Sequence, residues 1–266
     1  MTAPVLLGSG GIAGWNILKR TAAAQMKMVQ QDPVVARTTA YVRDKIADAG
    51  TPDALVSDYR LLSAALGAFG LEGDIANKAF IRKILESDLS DDKSLVNRLS
   101  DKRYLRLAQA FRYDRGDATV RSAGFGDKLS TQYVEREFER RVGDGDQDLR
   151  IALNARRELA NLANRTSTND TLWFEVLGNP PLRRMFEVGL GFDPKSFGQL
   201  PVDRQHAELK GKADKMFGSD SFAVFRDEAS VEKLIKTFLV RAQMTQTSAA
   251  ATGYSNALTL LSNFRR

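Results

Sequence analysis

Cysteine is absent from all 266 residues, and histidine occurs once, at His206. The first absence excludes disulfides, thiolate nucleophiles and cysteine-bound metals. The second excludes a histidine-rich metal site. Long apolar runs are also missing: nothing approaches the run of about 20 residues that spans a membrane. The chain opens with only a short apolar string at 4–7 and no basic stretch before it, so no cleaved secretory signal is expected. β-Strand patterning is thin, with 4–7 and 34–42 as isolated candidates.

What is present is the composition of a folded protein, 43% apolar and 27% charged. The net charge of +6 is unevenly placed. Residues 1–50 hold six Lys and Arg against three Asp and Glu, and 231–266 hold five against one, which leaves the middle near neutrality. A nucleic-acid reader carries its basic face on the folded domain. Here the excess lies at the ends, so neither nucleic-acid binding nor integral membrane contact is expected.

The body reads as successive amphipathic helices, giving an all-α fold class. Thr51, Pro52 and Asp53 form a helix start, and Gly70 follows the stripe Leu55, Leu62, Leu66, Phe69 as a stop. A Gly-rich break at 116–126 precedes a helical hairpin turning at 143–145, and a further helix is expected over 202–217. Val231, Leu234, Ile235, Phe238 and Leu239 make the clearest amphipathic helix. Residues 242–263 contain no charge, yet are rich in Thr, Ser, Gln and Asn.

Two internal echoes point to duplication. Residues 81–89 and 182–190 share the order apolar, basic, basic, apolar, apolar, acidic, and each closes on Leu. Downstream, Phe138 and Arg141 are matched by Phe238 and Arg241. The expected organisation is an amphipathic N-terminal segment (1–50), two related helical units (51–165 and 166–243), and an uncharged tail helix (244–266).

Candidate chemical motifs are sparse. Gly8-Ser9-Gly10-Gly11-Ile12-Ala13 spells a dinucleotide-type loop. No series of strands follows it, so a flexible lead into a helix is the preferred reading. Asp144, Asp146 and Asp148 alternate like a calcium loop, but the later ligand positions hold Leu149 and Ala155. Helix capping explains them better. His206 has Asp203 and Glu208 nearby as possible carboxylate partners, but no Ser or Cys nucleophile motif is attached to it. Catalytic, cofactor and metal residues are therefore assigned to none. Trp15, Leu18, Leu258 and Leu261, in the non-repeated ends, are the candidate partner-binding residues.

The wording of 58–111 is idiosyncratic, running from Asp58-Tyr59-Arg60 through Gly70-Leu71-Glu72-Gly73-Asp74 to a Leu-Ala-Gln-Ala-Phe helix ending at Phe111. Together with Gly14-Trp15, Arg157-Glu158-Leu159, Pro180-Pro181-Leu182-Arg183 and Val202-Asp203-Arg204-Gln205, it resembles the bacterial domain of unknown function family 1217. That resemblance extends over nearly the whole chain and brings no catalytic residues. It implies an alphaproteobacterial protein encoded among flagellar genes. The expectation is a non-catalytic structural or interaction protein of the flagellum, cytoplasmic or flagellum-associated. Its expected partners are flagellar proteins or further copies of itself, met through the termini. A cytoplasmic export chaperone or assembly regulator is the alternative, and a nucleotide-binding enzyme using the 8–13 loop a remote one.

Overall fold

The protein, seen as a computed structural model, is described over residues 5–117 and 119–263; the side chains of residues 194 and 246–263 lie outside the description. Those residues form helices α1 to α14 joined by short turns, with no strand among them. The run 34–42 is helical. Asp32 caps it, Pro33 presets its first turn, and Val35, Thr39 and Val42 fall at helical spacing on the buried side.

Contacts group the chain into two units, residues 1–7 with 18–145 and residues 8–17 with 146–266. The division falls at 145/146 rather than 165/166, because the helix at 147–163 packs with later elements. The N-terminal segment is not separate either; it is divided between the units.

In the first unit, residues 18–31 of α1 (Gly11–Gln31) precede α2 (Pro33–Lys45), α3 (Pro52–Ser57) and α4 (Tyr59–Phe69). Then come α5 (Lys78–Leu85), α6 (Leu95–Arg98), α7 (Lys102–Phe111) and α8 (Phe125–Gly145). Helix α4 is the hub, packed on α2, α3, α7 and α8. Its Ala64, Ala65 and Ala68 keep that face thin, while Leu61, Leu62 and Leu66 fill the core. Each such leucine stabilises the fold by about 1.5–3 kcal/mol. Gly67 admits the Tyr133 ring of α8, which a Cβ would meet at 3.2 Å. The helix stops at Gly70 (φ +70°), where the Leu71 amide donates back to the Leu66 carbonyl at 2.8 Å.

The second unit holds α9 (Gln147–Ala163), α10 (Asn169–Gly178), α11 (Pro180–Gly189), α12 (Pro194–Gly198), α13 (Val202–Phe217) and α14 (Glu228–Asn263). Its hub is α11, packed on α9, α10 and α14. The core is aromatic: Trp173 meets Phe186 and Phe222 edge-on at 5.3 and 5.2 Å, and Phe225 meets Phe217 at 5.2 Å.

The cap residues recur in order. Asp32, Thr51 and Asp58 start α2, α3 and α4; Asp146, Thr168 and Asn179 start α9, α10 and α11. One spacing carries Asp58 to Asn179, Leu61 to Leu182 and Gly70 to Gly191, and Gly191 is again left-handed (φ +71°). The Phe192 amide donates to the Glu187 carbonyl at 2.8 Å, in the same pattern as Leu71 to Leu66. The echo between 81–89 and 182–190 falls on a different pair of elements. It pairs α5, packed on α3, α6 and α7, with α11, whose neighbours are of a different kind. An apolar-basic-basic pattern is simply what any half-exposed basic helix writes.

Candidate interaction surface

Helix α14 has 36 residues, about 54 Å at the α-helical rise. Its first half is anchored. Val231, Leu234, Ile235, Phe238, Leu239 and Ala242 are buried, against α9, α11 and the 3-10 turn Phe222–Arg226. Arg241 donates to the Gly189 carbonyl at 2.6 Å, satisfying an orphan acceptor at the end of α11. Lys212 donates to the Gly191 carbonyl at 2.9 Å and lies over the Phe192 ring at 3.7 Å. Burial and then the Arg241 charge lower the Lys212 ammonium below its ordinary value.

Beyond that anchored face the helix presents apolar side chains outward. Val240 is 41% exposed and Met244 64%, one turn apart on one face. Leu258 and Leu261 belong to the same helix, but their side chains lie outside the described residues.

The other two candidate partner-binding residues are internal. Trp15 and Leu18 are both fully buried, Trp15 within the second unit and Leu18 within the first. The Trp15 indole donates to Glu232 on α14 at 3.3 Å. Neither is offered at the surface of the folded chain. An amphipathic helix spells its need for a partner the same way whether that partner is the same chain or another.

The 8–13 loop is explained by packing. A Cβ on Gly10 would stand 2.6 Å from an Asp146 carboxylate oxygen, and one on Gly11 2.7 Å from the Gln243 amide oxygen. A pyrophosphate needs donors and positive potential there. This loop meets acceptors, and no strand leads into it.

The aspartate run is likewise occupied. Asp144 pairs with Arg140 at 3.0 Å, and Asp148 with Arg184 at 3.2 Å. Asp146 accepts the amides of Asp148 and Leu149 as the cap of α9. Among the described residues no group of three or more His, Asp or Glu could hold a metal ion.

His206 stacks on Phe174 with centroids 4.2 Å apart. Its Nε2 lies 3.4 Å from Asp170 on α10, and Lys210 pairs with that same carboxylate at 2.8 Å. Asp203 and Glu208 are not its partners; Glu208 faces Arg204 at 3.9 Å. Sequence proximity misdirects here because the relevant carboxylate comes from another helix. A cavity of about 330 Å³ in the first unit, lined by Phe69, Gln109, Phe125, Lys128, Leu129 and Gln132, left no signal in the sequence. Its lining comes from three separated stretches of chain.

Among the described residues no helix is long and apolar enough to cross a membrane. No curated protein matches the chain. The X-ray structure of protein AGR_C_984 from Agrobacterium tumefaciens is similar, with a TM-score of 0.73, 25% sequence identity, and coverage of 91% of this chain and 99% of that one. A family model described as "Protein of unknown function (DUF1217)" matches residues 68–231. With more than half of its length matched, the chain belongs to the DUF1217 family.

Proposed function

We propose that this protein is a non-catalytic interaction protein of the bacterial flagellum that meets its partner through the distal half of α14. One observation carries the interaction reading: among its described side chains α14 buries one face from Val231 to Ala242 and exposes Val240 (41%) and Met244 (64%), and the helix continues to Asn263. An exposed apolar stripe on a long helix is a surface for another helix. The non-catalytic part is supported by the roles of the conspicuous polar residues. Asp146 caps, Asp144 and Asp148 pair with arginines, and the glycines of 8–11 make room. The flagellar context is what the family resemblance implies.

Deleting the gene is expected to reduce swimming in soft agar while leaving the growth rate unchanged. Normal swimming would overturn the assignment to motility. Fractionation of cells with a tagged full-length protein separates the forms of the reading. Recovery with basal bodies or filaments supports an assembled component. A purely cytosolic protein co-purifying with one flagellar client supports an export chaperone instead.

A further inference from the structure

We propose that the cavity of about 330 Å³ in the first unit binds a small carboxylate with an aromatic or branched apolar body. This site is separate from α14 and does not rest on its role. The cavity is built on two neighbouring stripes of α8. Phe125 and Leu129, one turn apart, supply an apolar floor together with Phe69 at the end of α4. All three keep less than a tenth of their surface. Lys128 and Gln132, also one turn apart, supply a polar wall that Gln109 of α7 completes. An apolar floor beside a few polar groups is the ordinary makeup of a small-molecule site.

The walls are already fixed. Phe125 rests edge-on against Phe111 at 5.3 Å. The turn before α8 is held by the Ser122 hydroxyl, which donates to the Thr119 carbonyl at 2.6 Å, and by the Phe125 amide, which donates to the Ser122 carbonyl at 3.2 Å. Little ordering is left for a ligand to impose.

Charge selects the ligand. Lys128 is the one charged residue lining the cavity. No carboxylate among the described residues lies within ion-pair distance of it, because the acids nearby in sequence are taken: Asp127 pairs with Arg43 at 2.7 Å and Asp117 with Arg121 at 2.9 Å. An ammonium flanked by side-chain amides matches a single negative charge. A phosphate monoester, carrying close to two charges, calls for more cations than this wall offers. Size sets the body. An enclosed cavity of about 150 Å³ holds benzene, so this one has room for a ring and a short acid chain.

The test is a titration of the full-length, ¹⁵N-labelled protein with 3-phenylpropionate, followed by amide chemical shifts. The signals of residues 119–132 are expected to shift and saturate. Two probes divide the ligand: 3-phenylpropan-1-ol keeps the ring without the charge, and propionate keeps the charge without the ring. Each should bind about tenfold more weakly or worse, the loss expected when a charge-assisted hydrogen bond or a buried ring is removed. Lys128→Met keeps the stem and removes the ammonium. It should weaken phenylpropionate by about tenfold with the thermal unfolding midpoint unchanged, and Lys128→Arg should restore binding. Absence of saturable shifts over 119–132 would overturn the site. Equal affinity for the alcohol, or undiminished binding by Lys128→Met, would overturn its assignment to a carboxylate.

Discussion

Gly70 and Gly191 both follow helices with left-handed backbones, but their surroundings differ. A Cβ on Gly70 would have open contacts, the nearest at 3.6 Å from Arg136, whereas one on Gly191 would meet Arg241 at 2.8 Å. Alanine at either site carries the left-handed penalty of about 1–2 kcal/mol. Gly191→Ala must also push Arg241 away from the Gly189 carbonyl it satisfies. Urea unfolding should therefore rank Gly191→Ala as the more damaging; the reverse order would contradict the role given to Arg241. Arg112 is the one described non-glycine residue with positive φ, at 52°, and two hydrogen bonds of 2.9 Å to Asp114 hold it there. Gly70 is readable as a helix stop, since glycine follows an apolar stripe. Arg112 is not readable, because its conformation depends on Asp114 and on the packing of Phe111 before it.

At the scale of the element, helical periodicity was the most legible feature and partner choice the least; the stripe from Leu55 to Phe69 reads as one helix, but Asp58 divides it into α3 and α4. Asp58 starts α4 by accepting the amides of Arg60 and Leu61, both at 2.9 Å, and the Tyr41 hydroxyl at 2.7 Å. Burial alone would raise its carboxyl pKa. The Leu61 amide, Tyr41 and the Arg60 amide outweigh burial and hold it below the ordinary carboxylate value. A depressed folded value means the stabilisation is complete above the unfolded pKa and is lost as pH falls through the folded one. Asn at this position keeps an acceptor but not the charge. Asp58→Asn exchanges charge-assisted hydrogen bonds for neutral ones and should cost roughly 1 kcal/mol at neutral pH. The gap between wild type and variant should close on acidification below about pH 4. Urea midpoints measured across that range check it; a gap that persists in acid would refute the charge argument. The run 34–42 shows the limit of local reading. Its β-branched residues suit a strand, but Asp32 and Pro33 set a helix start, and burial at helical spacing confirms that choice. Asp32 also pairs with the buried Arg141 at 3.1 Å, a contact across more than a hundred residues that no local pattern announces.

For the molecule as a whole, the grouping of 8–17 with 146–266 has a direct consequence. Trp15 is a core residue of the second unit although residues 18–145 of the first unit separate it in sequence from the rest of that unit. Trp15→Ala should cost about 3–5 kcal/mol, the range for removing a large buried aromatic. The sequence has only two tryptophans, so the variant leaves Trp173 as its sole indole. Trp173 sits in the second unit's aromatic core and donates to the Asp220 carbonyl at 2.9 Å. Its fluorescence therefore follows unfolding where the loss is felt. A shift under about 1 kcal/mol would contradict the interior placement of Trp15, since that is the size expected of surface changes.

By itself the sequence determined the helical class, the start at Thr51 and the stop at Gly70, the lack of cysteine chemistry and the family resemblance. Those follow from periodicity, turn chemistry and residue inventory, which act within a few residues of one another. Only the tertiary structure decided that Trp15 and Leu18 face inward and that Asp170 rather than Asp203 or Glu208 approaches His206. It also decided that α14 turns Val240 and Met244 to solvent. Each of these is a choice of partner among residues far apart in the chain. An amphipathic pattern states that a face must be covered, but the fold alone supplies what covers it.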